Sequence, residues 1–313
     1  MKSNLKRNFV FGAVGVFALM LVIPLSAEET NTAKMFSTPD EAVVALTAAV
    51  NAKDHDTLKA IFGSALSGIE NADRVQASND LAIFATALDT TNTLVRESDT
   101  NYTLEVGQDL WPFPIPLVQQ DGKWFFDTAA GEQEILNRRI GKNELNTLQV
   151  VRAYVEAQRQ YASTDPDGDE VLQFAQRFIS SPDKKDGLYW PPADDNDTSP
   201  LGPLVAYAQS EGYSIKPNGT NGYQPYNGYY FKILTRQGKH APGGKYDYII
   251  NGNMIAGFAL VAWPAEYGKT GIMTFLVNQQ GKVYQKDLGE KTVKLASSIK
   301  KYDPDSTWEL SPD

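Results

Sequence analysis

The sequence contains no cysteine and only two histidines, and these shortages exclude several kinds of site. Without cysteine the chain forms neither disulfides nor thiolate metal sites, and it lacks the residue that anchors a bacterial lipoprotein. A histidine-based triad or zinc site would need partners that nothing near His55 or His240 supplies. The length of 313 residues is enough to bury a core without covalent cross-links.

Long apolar runs are equally scarce, and the most apolar one is at the amino terminus. Residues 9–23 form an apolar run of about 15 residues, shorter than the roughly 20 that span a bilayer. A basic segment precedes this run and small residues follow it up to Ala27, which is the form of a secretory signal peptide. We expect cleavage after Ala27, a polar tether over residues 28–37, and a periplasmic or secreted mature protein without a membrane span. An uncleaved amino-terminal anchor is the alternative.

Positive charge is in short supply as well. The formal net charge is −9, and it becomes −12 if Lys2, Lys6 and Arg7 leave with the signal peptide. The sequence pI is near 4.9. This balance argues against nucleic acid or an anionic lipid surface as a partner.

The first half of the mature chain, residues 38–141, has the pattern of helices followed by a small sheet. Thr38 and Pro39 are typical of a capped helix start, and a second helix is predicted over residues 54–62. The stretch that follows is less regular. Extended segments are then predicted at residues 93–96, 102–106, 113–118 and 123–127.

The second half, residues 142–313, begins with a long helix. Gly141 is expected to end a helix over residues 131–140, and Asn143 to cap one that lasts to residue 162, so the domain boundary is placed near Gly141. The remaining predicted elements are short helices over residues 170–178 and 203–210, a loop over 181–200, and strands over 228–235, 246–250, 255–263, 271–278 and 282–286. The chain is therefore predicted to be α+β, with an antiparallel meander beside a long helix in this half.

Several segments resemble the uncharacterised bacterial domain-of-unknown-function family 2950, and the likeness covers nearly all of the mature chain. The matching segments are residues 111–118 (WPFPIPLV), 124–129 (WFFDTA), 137–145 (NRRIGKNEL), 177–180 (RFIS), 185–190 (KDGLYW) and 258–268 (FALVAWPAEYG). The resemblance implies export to the envelope and brings no activity with it.

Two weaker resemblances concern the halves. The first looks like an NTF2-like or cystatin-like unit of helices and a curved sheet, which implies a small-ligand pocket or dimerisation. The second resembles the globular head of type IV pilins and pseudopilins. Unlike a pilin stem, the long helix carries Arg152, Glu156 and Arg159, so it is not a membrane-buried filament core.

Asp165, Asp167 and Asp169 are the best metal candidates, because alternating carboxylates on a tight turn can converge on calcium. The segment resembles the start of an EF-hand loop, but Glu170 and Gln176 replace its sixth-position glycine and its closing carboxylate. The alternative is an acidic helix cap. No cofactor other than calcium is suggested.

A cluster of tyrosines suggests a stacking surface for glycans. Tyr223, Tyr226 and Tyr229 lie among Asn, Gly and Pro residues, and we group Trp190 with them as a candidate binding surface. Aromatic faces beside amides can stack on sugars, whereas the alternative places these rings in or around the core.

Because no catalytic motif stands out, we expect a non-catalytic periplasmic binding protein, an accessory of the envelope or of a pilus or secretion system. Its partner would be an envelope protein or a glycan. The alternative is a periplasmic hydrolase or isomerase-like enzyme that uses Asp109 and Asp127 as an acid and base pair in the first half.

Overall fold

The computed structural model describes residues 32–215 and 224–312. The expected signal peptide and most of the tether lie outside these ranges. The described chain is α+β, as predicted, with two antiparallel sheets and a long helix between them in the chain order. Among the described residues, no helix combines the length and the apolar character that a membrane span requires.

Helices open the first half. They are α1 (Pro39–Ala52), α2 (His55–Phe62) and α3 (Arg74–Thr90), with a 3₁₀ turn over Ser64–Ile69 between the last two. The Thr38 hydroxyl accepts the N–H of Glu41 at 3.2 Å, which confirms the predicted cap. Helix α3 lies in the stretch expected to be irregular. Leu81, Phe84, Ala85 and Leu88 recur along it at helical spacing and pack against the first core, so the pattern was present in the sequence and was missed.

The first sheet is antiparallel and follows these helices. Its strands are β1 (Asn92–Ser98), β2 (Asn101–Val106), β3 (Trp111–Pro112), β4 (Leu117–Gln120) and β5 (Lys123–Phe126). They are ordered β1-β2-β4-β5, and β3 pairs with β2. The predicted strand over residues 113–118 is confirmed only in part, since strand structure is interrupted between β3 and β4. Leu46, Ile61, Leu104 and Phe126 lie in the core between this sheet and the helices.

A single helix, α4 (Thr128–Ala162), joins the two halves. The prediction that a helix ends at Gly141 and another begins at Asn143 is therefore wrong. A glycine inside a helix costs only about 1 kcal/mol, and the turns on both sides of Gly141 are held by packing. Asn143 is fully buried inside the helix and does not cap it. The domain boundary near Gly141 stays a prediction, although the buried apolar residues do form one cluster in each half.

The second half is built on a five-stranded antiparallel sheet, as the meander prediction required. Its strands are β6 (Tyr229–Leu234), β11 (Ala259–Pro264), β12 (Met273–Asn278), β13 (Tyr284–Asp287) and β14 (Glu309–Leu310), paired in that order. The segment that connects β6 to β11 forms two short antiparallel ribbons. The first pairs β7 (Arg236–Gln237) with β8 (Tyr246–Asp247), and the second pairs β9 (Ile249–Ile250) with β10 (Asn253–Met254). Two helices, α5 (Gly202–Ser210) and α6 (Thr292–Ser297), complete this half. Helix α5 confirms the helix predicted over residues 203–210.

The helix predicted over residues 170–178 does not form. Glu170 has φ +65°, which stops helical growth at its first residue. The backbone then finds partners elsewhere, because the N–H of Phe174 donates to Met254 O at 2.8 Å and that of Ala175 to Gln158 Oε1 at 2.8 Å. These bonds replace the helical ladder.

A buried carboxylate joins the two halves. Asp73 caps α3 through the N–H of Gln76, and only 2% of its surface is exposed. Its Oδ2 accepts the Tyr213 hydroxyl at 2.8 Å and the Gly228 N–H at 3.0 Å, both from the second half. Gly228 has φ +75°, and a Cβ there would lie 2.5 Å from Asn143 Nδ2, so this tight approach requires glycine.

The polar contacts continue along α4. Gln76 Nε2 donates to Asn143 Oδ1 at 2.7 Å, and Asn143 Nδ2 donates to Thr270 O at 2.8 Å. Glu144 is the next residue of the helix, and its Oε1 accepts the N–H groups of Ile272 and Met273, each at 2.9 Å. We call Asp73, Gln76, Asn143, Glu144 and their partners the polar joint. Every member has a partner, which is what makes a buried polar network stabilising.

Substitution Asp73→Asn tests the polar joint. The new amide would face the Gly228 N–H, and a donor left without an acceptor in a buried site costs about 1–3 kcal/mol. We expect the free energy of unfolding, measured by urea denaturation, to fall by about 2 kcal/mol. The control Asp121→Asn, in the exposed turn between β4 and β5, should change it by less than about 0.5 kcal/mol. Equal stability of the two variants would contradict the assigned role.

Candidate functional site

Asp109 and Asp127 hold positions that suit structural carboxylates. Asp109 is exposed in the turn between β2 and β3. Asp127 is half-buried and caps α4, where its Oδ1 accepts the N–H of Ala130 at 3.1 Å. No hydrogen bond or ion pair joins the two carboxylates in the part of the chain that the structure describes. The structure shows the capping role of Asp127, and the acid and base roles of the pair stay a prediction.

The three carboxylates predicted to bind a metal do come together. Asp165, Asp167 and Asp169 each offer an oxygen, and these atoms lie within 4.8 Å of one another at the surface. The loop is closed by Asp165, which accepts the N–H groups of Gly168 and Glu170 at 2.9 Å each. This loop replaces the predicted alternative of an acidic helix cap.

The electrostatics of this loop separate the roles of its carboxylates. Desolvation and the neighbouring charge of Asp169 raise the pKa of Asp167 above its usual value. Desolvation acts in the same direction on Asp165, but backbone N–H groups outweigh it and lower the pKa of that carboxyl. Asp165 closes the loop through these N–H groups. Asp167 and Asp169 share one donor, since Gln173 Nε2 lies 3.2 Å from Asp167 Oδ2 and 3.1 Å from Asp169 Oδ2.

The burial of Tyr229 and Trp190 contradicts their predicted place on a glycan-stacking surface. Tyr229 is completely buried, and Trp190 is 6% exposed with its Nε1 donating to Asp197 Oδ1 at 2.8 Å. Neither ring offers a face to a sugar at the surface. Tyr226 is half-buried, and Tyr223 lies outside the described residues.

An apolar cavity of about 450 Å³ lies in the second half, where Tyr226 and Tyr229 form part of its wall. Helix α4 contributes Val150 to the lining. Helix α5 contributes the consecutive residues Leu204 and Val205. The remaining apolar lining includes Phe178, Ile179, Phe231 and Leu260. Several of these side chains, among them Phe178, Leu204 and Val205, are only half-buried. Volumes of about 300–1,000 Å³ are typical of small-molecule pockets.

Three of the tyrosine hydroxyls around this cavity are already paired within the protein. Tyr154 OH donates to Ala259 O at 3.2 Å, Tyr229 OH to Met273 O at 3.0 Å, and Tyr213 OH to Asp73. These tyrosines consequently offer the cavity mainly ring carbon. The walls that the structure describes are suited to an apolar ligand.

One charged side chain, Arg177, lines the apolar cavity among its described residues. Its Nη1 donates to Ser181 Oγ at 2.6 Å and lies 3.8 Å from Asp186 Oδ2. The guanidinium charge is thus balanced by a protein carboxylate. It is not an unpaired cation that calls for an anionic ligand.

Sequence reasoning missed most of this cavity. Tyr226 and Tyr229 of its lining belong to the predicted glycan surface, and residues 177–179 to a segment that resembles the family, but neither pattern indicates a cavity. Leu204 and Val205 read as ordinary core positions, because apolar residues that line a cavity follow the same helical spacing as those that fill one. The concentration of apolar residues from separate segments becomes visible only in three dimensions.

Comparison with known families concerns the chain as a whole. The family described as "Protein of unknown function (DUF2950)" matches residues 33–310. The chain belongs to this family. Comparison with curated proteins gives no match, and comparison with solved structures gives none either. The NTF2-like and pilin-head resemblances of this DUF2950 protein stay predictions.

The calcium hypothesis for this DUF2950 protein can be tested by thermal unfolding. If the loop binds calcium with a dissociation constant of about 0.1–1 mM, 10 mM calcium stabilises the protein by about 1.4–2.7 kcal/mol. The melting temperature should then rise by several degrees. Asp167→Ala should abolish the rise, and Asp195→Ala, in an exposed loop outside the cluster, should retain it. An unmoved melting temperature in both the wild type and Asp167→Ala would remove the hypothesis.

Proposed function

We propose that this protein is a non-catalytic ligand-binding protein of the periplasm, which takes an apolar molecule, or the apolar part of a larger one, into the cavity beside α5. Export is the part of the proposal that rests on the sequence, through the basic segment and the apolar run at residues 9–23. The apolar cavity is the observation that carries the binding role.

The composition of the cavity wall supports binding rather than catalysis. Its apolar side chains come from α4, α5, β6 and the segment around Phe178. Arg177 is paired with Ser181 and Asp186. The hydroxyls of Tyr154, Tyr213 and Tyr229 are paired as well. General acid–base or nucleophilic chemistry needs a reactive group held beside its activator, and the described wall offers none.

The half-buried state of the lining side chains supplies a driving force. Each square ångström of apolar surface that a ligand removes from water contributes about 25 cal/mol. Phe178, Leu204 and Val205 keep such surface accessible although their neighbours in the core are fully buried. A ligand that covers them completes the packing which the chain alone leaves unfinished.

Binding of the neutral fluorescent probe N-phenyl-1-naphthylamine tests the proposal. We expect its emission to rise with the wild-type protein, because the probe enters an apolar environment. Val205→Asp places a carboxylate in the cavity wall and should weaken binding at least about a hundredfold, since an unpaired buried charge costs several kcal/mol. The matched control Val44→Asp, at a position that is 69% exposed on α1, should bind like the wild type.

Folding of the variants is checked by circular dichroism. Should Val205→Asp unfold, Ala208→Phe provides a second test, because its ring would occupy the cavity without introducing charge. Wild-type affinity in either folded cavity variant, or failure of the wild-type protein to bind the probe, would contradict the proposal.

A further inference from the structure

A second cavity, of about 480 Å³, lies between α3 and α4 and differs in chemistry from the first. Asn79 and Ile83 of α3 are four residues apart, so they face the cavity together. Asn146 and Gln149 of α4 stand opposite at a spacing of three, and Tyr207 of α5 borders the opening with 59% of its surface exposed. We call this cavity the amide cleft.

The apolar cavity and the amide cleft share a wall. Val150, Leu204, Tyr213 and Tyr226 line both of them. A molecule that occupies both would place an apolar part beside Val205 and a polar part beside Gln149. The two cavities together therefore present the two-sided chemistry of an amphiphile site.

The polar groups of the amide cleft are suited to hydroxyl groups. Side-chain amides both donate and accept hydrogen bonds, as hydroxyls do. Glu211 Oε2 is buried and has no hydrogen-bond partner among the described residues, so it requires a donor from outside them. Burial and the charge of Glu211 raise the pKa of Tyr226 to about 12, which keeps its hydroxyl protonated at neutral pH.

The charges around both cavities disfavour an anionic head group. Lys142, the cation of the amide cleft, forms an ion pair with Asp80 at 2.9 Å. Arg177 of the apolar cavity is balanced by Asp186. Glu211 adds a negative charge to the cleft. A phosphate or carboxylate would meet neutralised cations and a repelling carboxylate, whereas an uncharged head would not.

We propose that the ligand is an uncharged amphiphile whose alkyl or acyl chain fills the apolar cavity and whose hydroxyl-rich head lies in the amide cleft, as in a glycolipid. This inference rests on the proposed function for its apolar part and adds the position and the class of the head group. The exposed ring of Tyr207 supplies a stacking face for a sugar, and Asn146 and Gln149 supply the adjoining amides.

Calorimetric titration with alkyl maltosides below their micelle concentration tests the inference. Decyl maltoside should bind about tenfold more tightly than octyl maltoside, because each of its two additional methylenes contributes about 0.8 kcal/mol. Maltose, which lacks a chain, should show no measurable binding. Decanoate should bind more weakly than decyl maltoside, because Glu211 repels its carboxylate. Decyltrimethylammonium should also bind more weakly, because its head has no N–H or O–H to donate to Glu211 or to the side-chain amides.

Variants of the cleft locate the head group. Tyr207→Ala and Gln149→Ala should each weaken decyl maltoside about fivefold, the effect of a lost contact worth roughly 1 kcal/mol, and should leave N-phenyl-1-naphthylamine binding unchanged. Gln133→Ala, at an exposed position of α4, is the matched control for Gln149→Ala and should bind both ligands like the wild type.

The outcomes separate this inference from the proposed function. Unchanged maltoside affinity in both cleft variants, or tighter binding of either charged amphiphile, would overturn the assignment of the head group while the apolar cavity stands. Failure of the neutral probe to bind would remove the proposed function as well.

Discussion

The contact on which the rest of this structure depends is the buried carboxylate of Asp73 between a tyrosine hydroxyl and a backbone N–H of the other half. It fixes the start of α3 against Tyr213 and against Gly228, the residue just before β6. Helix α4 continues the same network through Asn143, which bonds to Gln76 on one side and to Thr270 on the other. Polar groups that are buried and fully paired specify one arrangement, since any displacement would leave several of them without partners.

This constraint also shapes the candidate site. Tyr213 is held by Asp73 and lines both the apolar cavity and the amide cleft, and the ring of Tyr226 packs against it at 4.8 Å between centroids. The wall common to the two cavities is thus positioned by the contact that joins the halves. Stability and binding are coupled here in a physical sense, because a substitution in the polar joint would move the surface that a ligand touches.

The sequence predicts elements well where local chemistry decides them. Thr38 and Pro39 mark the start of α1, and the strands of the second sheet follow apolar runs separated by turns. The errors occur where distant contacts decide. Gly141 reads as a helix end but lies within the helix α4. Helix α3 is an error of another kind, because its stripe of Leu81, Phe84 and Leu88 is visible in the sequence and was missed. The segment after Asp169 is drawn away from helix by bonds to Gln158 and Met254. The three clustered carboxylates were predictable from their spacing, whereas the cavity was not, because its residues come from separate segments.

The account makes the apolar cavity and the amide cleft one site for a single amphiphile, and a crystal structure of the protein with decyl maltoside tests this most directly. We predict density for the alkyl chain between α5 and β6, beside Val205 and Phe231, that continues past Tyr226 to a sugar against Gln149 and Tyr207. A chain bound elsewhere, or a sugar that points away from α3 and α4, would contradict the central claim.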